Sequence, residues 1–92
     1  RATDIFGRLG GEEFAVILPE TDSETAVEIG ERLRNELSRI SIDSEQGPVQ
    51  FTVSIGLSML EEESDTLVII MGRADSALYK AKENGRNRLV RI

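Results

Sequence analysis

The sequence predicts an α+β sandwich in which two helices pack on a sheet, in the order β-turn-β-α-β-α-β. Segments 21–40 and 65–84 repeat apolar residues every three or four positions, whereas segment 49–59 alternates apolar and polar residues. The first spacing is typical of one face of an amphipathic helix, and the second is typical of a strand with one buried face. Because such elements bury their apolar faces against one another, both helices are expected to lie on the sheet.

The N-terminal elements are predicted to form a hairpin. Segment 3–9 favours a first strand, and the apolar run 14–18 favours a second strand that is buried on both faces and ends at Pro19. Gly10 and Gly11 stand between them and could both adopt positive φ, as a tight hairpin turn requires. A backbone without Cβ atoms would also let a ligand come close.

The first helix and the segment after it have clear boundary signals. Thr21 followed by Glu24 matches a capping box, with Thr21 as the N-cap. Segment 41–48 is polar and contains a Gly-Pro pair, so the sequence predicts a loop there.

The second helix is expected to begin at a cap formed by Ser64 or Asp65 and to stop at Gly85. A last short strand is predicted over 88–92. In the alternating segment before this helix, Gly56 indicates either a β-bulge or a close approach by another part of the molecule.

Composition limits the classes of site. The chain has 92 residues, enough for at most one small domain, and it contains neither cysteine nor histidine. Disulfides and thiolate metal sites are excluded, so a metal would be held by oxygen ligands, which favours Mg²⁺, Mn²⁺ or Ca²⁺. No apolar run approaches the ~20 residues that span a bilayer, and no signal peptide is visible. We therefore expect a cytoplasmic setting without membrane contact by this segment.

Charge is distributed unevenly. The net charge of −6 argues against a general nucleic-acid binder. Residues 12–45 carry ten acidic residues against three arginines, whereas residues 73–92 carry six basic residues against two acidic ones. The two regions could hold a metal ion and a polyphosphate between them, although an asymmetry of this size is equally compatible with an ordinary surface.

Five short motifs resemble those of one known family. Segment 10–14 (GGEEF) resembles the signature of the GGDEF domain, the domain of diguanylate cyclases. Segment 51–56 resembles the family's T-x-S-x-G strand, and segment 74–82 resembles its A-D-x-A-L-Y-x-A-K helix. Segments 85–87 (GRN) and 1–4 (RATD) resemble its terminal G-R-N and its R-x-x-D product-inhibition site.

The resemblance implies a palm-like sheet with packed helices, of the ferredoxin-like or nucleotidyl cyclase type. Residues 1–92 would form the C-terminal part of one GGDEF domain, because the strand with the first metal-binding aspartate and the guanine-recognising residues has no counterpart here. The implied reaction condenses two GTP to cyclic di-GMP with release of pyrophosphate. It requires Mg²⁺ or Mn²⁺ and a homodimer, and these 92 residues alone would be inactive.

The resemblance also assigns roles to individual residues. Glu12 would be the catalytic residue, and both Glu12 and Glu13 would bind the metal. The residues matched to substrate binding are Gly10, Gly11, Lys82 and Arg86. Taken without the other motifs, the same residues would be a hairpin with surface glutamates and a helix end with favourable cations. Arg8 could steady the hairpin, contact a phosphate or form a salt bridge.

Arg1, Asp4 and Arg32 match the inhibitory site, where they would bind the product cyclic di-GMP. A local salt bridge between Arg1 and Asp4 is an alternative. So is a protein that binds cyclic di-GMP through these residues without catalysis. Asp75 and Tyr79 are expected to have structural roles, the first as a cap or ion-pair partner and the second in packing.

Overall fold

The computed structural model describes residues 4–92 and confirms an α+β fold. The elements in chain order are β1 (Ile5–Arg8), β2 (Phe14–Ile17), α1 (Ser23–Ser38), β3 (Ser41–Ser44), β4 (Gly47–Gln50), β5 (Ile55–Leu57), α2 (Leu67–Glu83) and β6 (Leu89–Arg91). The strands pair as β1–β2, β3–β4 and β5–β6. The predicted order is correct except that it lacks one hairpin. None of the helices described could span a membrane.

The additional hairpin, β3–β4, lies where the sequence predicts a loop. Gly47 has a φ of 108°, which allows the chain to reverse, and the Ser44 hydroxyl donates to the Gly47 carbonyl at 2.6 Å. Pro48 pairs with Asp43 in the antiparallel register, a place that proline tolerates at a sheet edge. The Gly-Pro pair therefore forms a turn and the start of a strand. As a result, the predicted strand 49–59 is divided between β4 and β5.

The core lies where α2 packs on the parallel pair β5–β6. Ala77 and Ala81 of α2 are fully buried, with 0% exposure. A Cβ at Gly56 of β5 would collide with the Ala74 carbonyl oxygen and the Leu78 backbone nitrogen. The strand backbone thus lies directly against the helix backbone, which shows that Gly56 serves a close approach and not a bulge.

The N-cap of helix α1 is Asp22 and not the predicted Thr21. The Asp22 carboxylate accepts a hydrogen bond from the Thr25 backbone N–H at 2.8 Å, and this bond lowers the pKa of Asp22. Thr21 instead donates its hydroxyl to the Pro19 carbonyl at 3.0 Å. A capping sequence permits either residue, and the bond to Pro19 takes the Thr21 hydroxyl away from the helix.

The N-cap of helix α2 is Thr66, one position after the predicted Asp65 and two after the predicted Ser64. The Thr66 hydroxyl accepts from the Ile69 N–H at 3.2 Å. Asp65 has a different role: it binds the Arg73 guanidinium at 2.7 and 2.9 Å and accepts the backbone N–H groups of Glu61 and Glu62. It thereby links the segment that contains Glu61 and Glu62 to the second turn of the helix.

The end of α2 confirms Gly85 as the stop. Gly85 has a φ of 117°, and the Arg86 N–H reaches back to the Ala81 carbonyl at 2.9 Å. This bond is the long bond of a Schellman motif, which satisfies a carbonyl that the helix itself leaves free.

The β1–β2 hairpin differs from the prediction in burial. Arg8 pairs with Phe14, and the Phe6 and Phe14 rings stack with centroids 5.4 Å apart. Phe14 is nevertheless 55% exposed, so β2 is not buried on both faces. The apolar run is typical of a strand that other elements cover. Within residues 4–92, however, little besides the stacked phenylalanine rings covers it.

Replacement of Gly56 by alanine should destabilise the fold strongly, because the new methyl group would meet backbone atoms of α2 that cannot rotate away. We expect a loss of about 1–3 kcal/mol or more in the free energy of unfolding. Gly72→Ala is the matched control, since its Cβ would meet no atom within 4 Å. In the middle of a helix that change should stabilise by about 0.5–1 kcal/mol. Denaturant unfolding of both variants tests this contrast, and equal effects would contradict it.

Asp65→Asn should lower the melting temperature in a pH-dependent way. The hydrogen bonds from Arg73, followed by the backbone bond from Glu61, hold the pKa of the Asp65 carboxyl well below its usual 3.8. A lowered folded-state pKa stabilises the fold fully above the unfolded value, and the effect fades as the pH falls below it. The difference from wild type should therefore be constant from about pH 7 to 5 and shrink below about pH 4. Thermal melts measure it, with the exposed Asp43→Asn as control.

Candidate functional site

A cleft of about 380 Å³ separates the turn of the β1–β2 hairpin from the C-terminal part of α2. We call it the glycine cleft, and its lining residues are Leu9, Gly10, Gly11, Glu12, Glu13 and Lys82. Its volume lies at the lower end of the range typical of small-molecule sites. The fold thus brings five of the predicted site residues to one place, although Lys82 is about seventy positions away from the others in sequence.

Arg8 fixes the turn that forms one wall of the cleft. Its Nε donates to the Gly10 carbonyl at 3.0 Å, and its Nη2 donates to the Gly11 carbonyl at 3.1 Å. The Leu9 N–H closes the turn on the Glu13 carbonyl at 2.9 Å. Of the roles open to Arg8 from the sequence, steadying the hairpin is the one that the structure shows.

Gly10 and Gly11 do not adopt the positive φ angles that the hairpin prediction expected of them. Among the described glycines, only Gly47 and Gly85 have positive φ, so the predicted positive-φ turn at Gly10 and Gly11 is wrong. The connection from Leu9 to Glu13 is longer than a two-residue turn and needs no left-handed residue. A Cβ at either glycine would meet no atom within 4 Å. Neither backbone conformation nor packing within residues 4–92 demands glycine at these positions.

The turn also presents unused hydrogen-bond donors. Arg8 occupies the carbonyls of Gly10 and Gly11, but the backbone N–H groups of Gly11 and Glu12 donate to no described residue. Successive free N–H groups on a bend favour an anion. One wall of the cleft therefore combines amide donors with two carboxylates.

Glu12 and Glu13 line the same cleft, contrary to the expectation that they point to opposite sides. That expectation rests on strand alternation, which does not apply here because both residues precede β2, which begins at Phe14. Among the described residues, no group of three or more acidic side chains is placed to bind a metal. Two carboxylates are nevertheless compatible with Mg²⁺, which commonly takes one or two protein carboxylates together with substrate phosphate oxygens.

The cationic side of the cleft is only partly as predicted. Lys82 lies on the last turn of α2 and lines the cleft, whereas Arg86 does not line it. Arg86 lies beyond the helix stop with a φ of 62°, next to Asn87 with a φ of 47°. Its substrate-binding role remains a prediction.

The predicted inhibitory site lies only partly within the described residues. Arg1 lies outside the described residues, Asp4 is half-buried, and Arg32 is exposed on α1. The structural roles expected for Asp75 and Tyr79 are not found, since both are exposed, Tyr79 by 64%.

One pair of residues that links α1 to the segment after α2 was not identified from the sequence. The Arg34 Nη1 atom donates to the Asn87 side-chain oxygen at 2.9 Å and to its carbonyl at 3.4 Å. A pairing across 53 positions leaves no local pattern. The only signal in the sequence is the spacing of Glu31 and Arg34, which suits an ion pair within a helix.

Comparison with known proteins places this geometry in a family. The family model described as diguanylate cyclase, GGDEF domain, matches residues 1–88. A probable diguanylate cyclase of Escherichia coli K12, DgcT, is 40% identical over 92 residues, which is 98% of this chain but 20% of the relative. The chain therefore spans about a fifth of the length of such curated relatives.

Solved structures give the same result. The diguanylate cyclase SiaD of Pseudomonas aeruginosa, in complex with its activator SiaC, matches with a TM-score of 0.92 at 33% identity, over 100% of this chain and 35% of that one. The GGDEF domain of DgcB from Caulobacter crescentus, in complex with c-di-GMP, matches with a TM-score of 0.89 at 32% identity, over 96% and 51% of the two chains. With its palm-like α+β fold, this chain belongs to the GGDEF domain family of diguanylate cyclases.

Proposed function

We propose that the full-length protein containing this chain is a diguanylate cyclase that condenses two GTP to cyclic di-GMP and releases pyrophosphate. The observation that carries the proposal is the glycine cleft, where two glycines, two glutamates and a lysine line one cavity. Family membership supports the reaction class. The segment described here supplies only part of the site, so we expect it to be inactive alone.

The amide groups of the turn and Lys82 would bind the triphosphate. Phosphate oxygens accept hydrogen bonds from the free N–H groups of Gly11 and Glu12, and the Lys82 ammonium offsets their charge from the opposite wall. Arg86, four positions further along the chain, would extend this contact toward the distal phosphates. Because Gly10 and Gly11 have no side chains, the phosphates can lie directly against the backbone.

Glu12 and Glu13 would hold a magnesium or manganese ion between the turn and the phosphates. When bound, such an ion offsets the charge of the triphosphate and acidifies a hydroxyl next to it. The carboxylate of Glu12 is also the group proposed to accept the proton of the attacking 3′-hydroxyl. Arg8 keeps both carboxylates in place through its bonds to the turn carbonyls.

The reaction requires two copies of the domain. Each copy would carry one GTP, and the 3′-hydroxyl of one nucleotide attacks the α-phosphate of the other, forming an O–P bond as pyrophosphate leaves. Two such steps close the ring. The main contribution of the protein is to position the two nucleotides, and a homodimer with facing clefts would achieve this.

Product inhibition would act through Arg1, Asp4 and Arg32. The arginines fork onto the guanine or phosphate of cyclic di-GMP, and the aspartate accepts guanine N–H groups. The structure of DgcB with c-di-GMP supports binding of this nucleotide within the family. A receptor that binds the product without catalysis is the second candidate, because it would need only these three residues.

Glu12→Gln in the full-length protein should reduce formation of cyclic di-GMP from GTP by at least about 100-fold, because an amide neither holds the metal nor accepts the proton. The matched control is Glu45→Gln, an exposed change in the β3–β4 turn. Chromatographic quantification of product with Mg²⁺, and after its removal by EDTA, gives the measurement. A wild-type protein that binds cyclic di-GMP but never forms it would favour the receptor.

Gly11→Ala should weaken the binding of GTP without destabilising the fold. Its free energy of unfolding should change by no more than about 0.5 kcal/mol, because the methyl group meets no atom and the backbone is not left-handed. Affinity for GTP should nevertheless fall, since the methyl group occupies the space proposed for the phosphates. Gly47→Ala, at a φ of 108°, should give the reverse pattern of lower stability and unchanged affinity. Denaturant unfolding and calorimetry with GTP would distinguish the two variants.

A further inference from the structure

Three consecutive residues after α2 adopt left-handed backbone conformations. Gly85, Arg86 and Asn87 have φ values of 117°, 62° and 47°, and we call them the 85–87 turn. Glycine adopts this region freely, but Arg86 is a residue type that rarely does so. Such conformations persist where the surrounding structure holds them, and they cluster at functional sites.

Local bonds hold only the first part of the turn. The Arg86 N–H donates to the Ala81 carbonyl at 2.9 Å, and the Arg88 Nε donates to the Arg86 carbonyl at 3.1 Å. Asn87 is held from another element, because Arg34 of α1 donates to its side-chain oxygen at 2.9 Å and to its carbonyl at 3.4 Å. This pair ties α1 to the end of α2.

Arg34 is itself fixed before it meets Asn87. Its Nε and Nη2 both donate to one oxygen of Glu31, at 3.1 and 2.7 Å, which leaves Nη1 for Asn87. The Arg34 side chain is 19% exposed, and the hydrogen bonds that it donates to the Glu31 carboxylate raise its pKa, so it stays charged. Arg32 and Arg39, in contrast, donate no side-chain hydrogen bond to any described residue.

We propose that Arg34 is a positioning residue that holds the 85–87 turn and thereby fixes where Arg86 leaves the backbone, four positions beyond Lys82 of the glycine cleft. The turn begins three positions after Lys82, which lines that cleft. A left-handed turn fixes the direction in which the Arg86 side chain leaves the backbone. Loss of the guanidinium would let Asn87 return to an ordinary conformation and turn Arg86 away. The inference rests on the proposed binding of GTP at the cleft.

The test is a double-mutant cycle in the full-length protein. Arg34→Ala should raise KM for GTP about tenfold with a smaller change in kcat, as Arg86→Ala should. If Arg34 acts through Arg86, the double variant should be no worse than Arg86→Ala alone. Arg39→Ala, which removes an exposed arginine after the same helix, is the control. The proposal would be overturned if the two substitutions had multiplicative effects on KM. It would also be overturned if Arg34→Ala raised KM no more than Arg39→Ala does.

A conservative variant and a hydrogen-exchange measurement complement the kinetic test of Arg34. If Arg34→Ala does not fold, Arg34→Lys replaces it, because an ammonium keeps the charge but cannot bridge Glu31 and Asn87 as the planar fork does. Amide hydrogen exchange of Arg86 reports on the turn without substrate, and Arg34→Ala should accelerate it at least about tenfold over wild type. A wild-type protein that does not use GTP refutes the proposed function, whereas unchanged exchange at Arg86 refutes the role of Arg34.

Discussion

The close approach of β5 to α2 is the constraint on which the rest of the arrangement depends. Because Gly56 has no side chain and Ala77 and Ala81 have small ones, the helix lies backbone to backbone on the strand. This contact sets the axis of α2 and therefore the position in space of its C-terminal end. The position of Lys82 at the cleft follows from that axis, and β6 pairs with β5 against the same helix.

The elements with a strong local pattern were predictable from the sequence. Both helices, the hairpin with its Gly-Gly connection, the stop at Gly85 and the close approach at Gly56 are encoded by residue spacing or by single residues. The β3–β4 hairpin was not, because a Gly-Pro pair usually marks a break and here provides a turn with proline on a strand. The N-caps were missed by one or two positions, since several neighbouring residues could each form them.

The features of the site likewise include some that the sequence predicts and some that it does not. The GGEEF segment and Lys82 could be selected by their resemblance to a family, and the fold brings them together. Of the two reasons that the sequence suggested for Gly10 and Gly11, positive φ is wrong, and within residues 4–92 no crowding requires glycine there either, which leaves the close approach of a ligand. The bonds of Asp65 to Arg73 and of Arg34 to Asn87 also escaped prediction, because tertiary pairing of charged and polar groups leaves no periodic trace.

The two walls of the glycine cleft belong to parts of the molecule that share no strand pairing. One wall is the β1–β2 hairpin, and the other is the end of a helix anchored to β5 and β6. Within residues 4–92, a change in the width of the opening would therefore break no backbone ladder. Among the described residues, the distance between the carboxylates and Lys82 is thus set without a backbone hydrogen bond from one wall to the other, so a bound molecule that contacts both walls would itself link them.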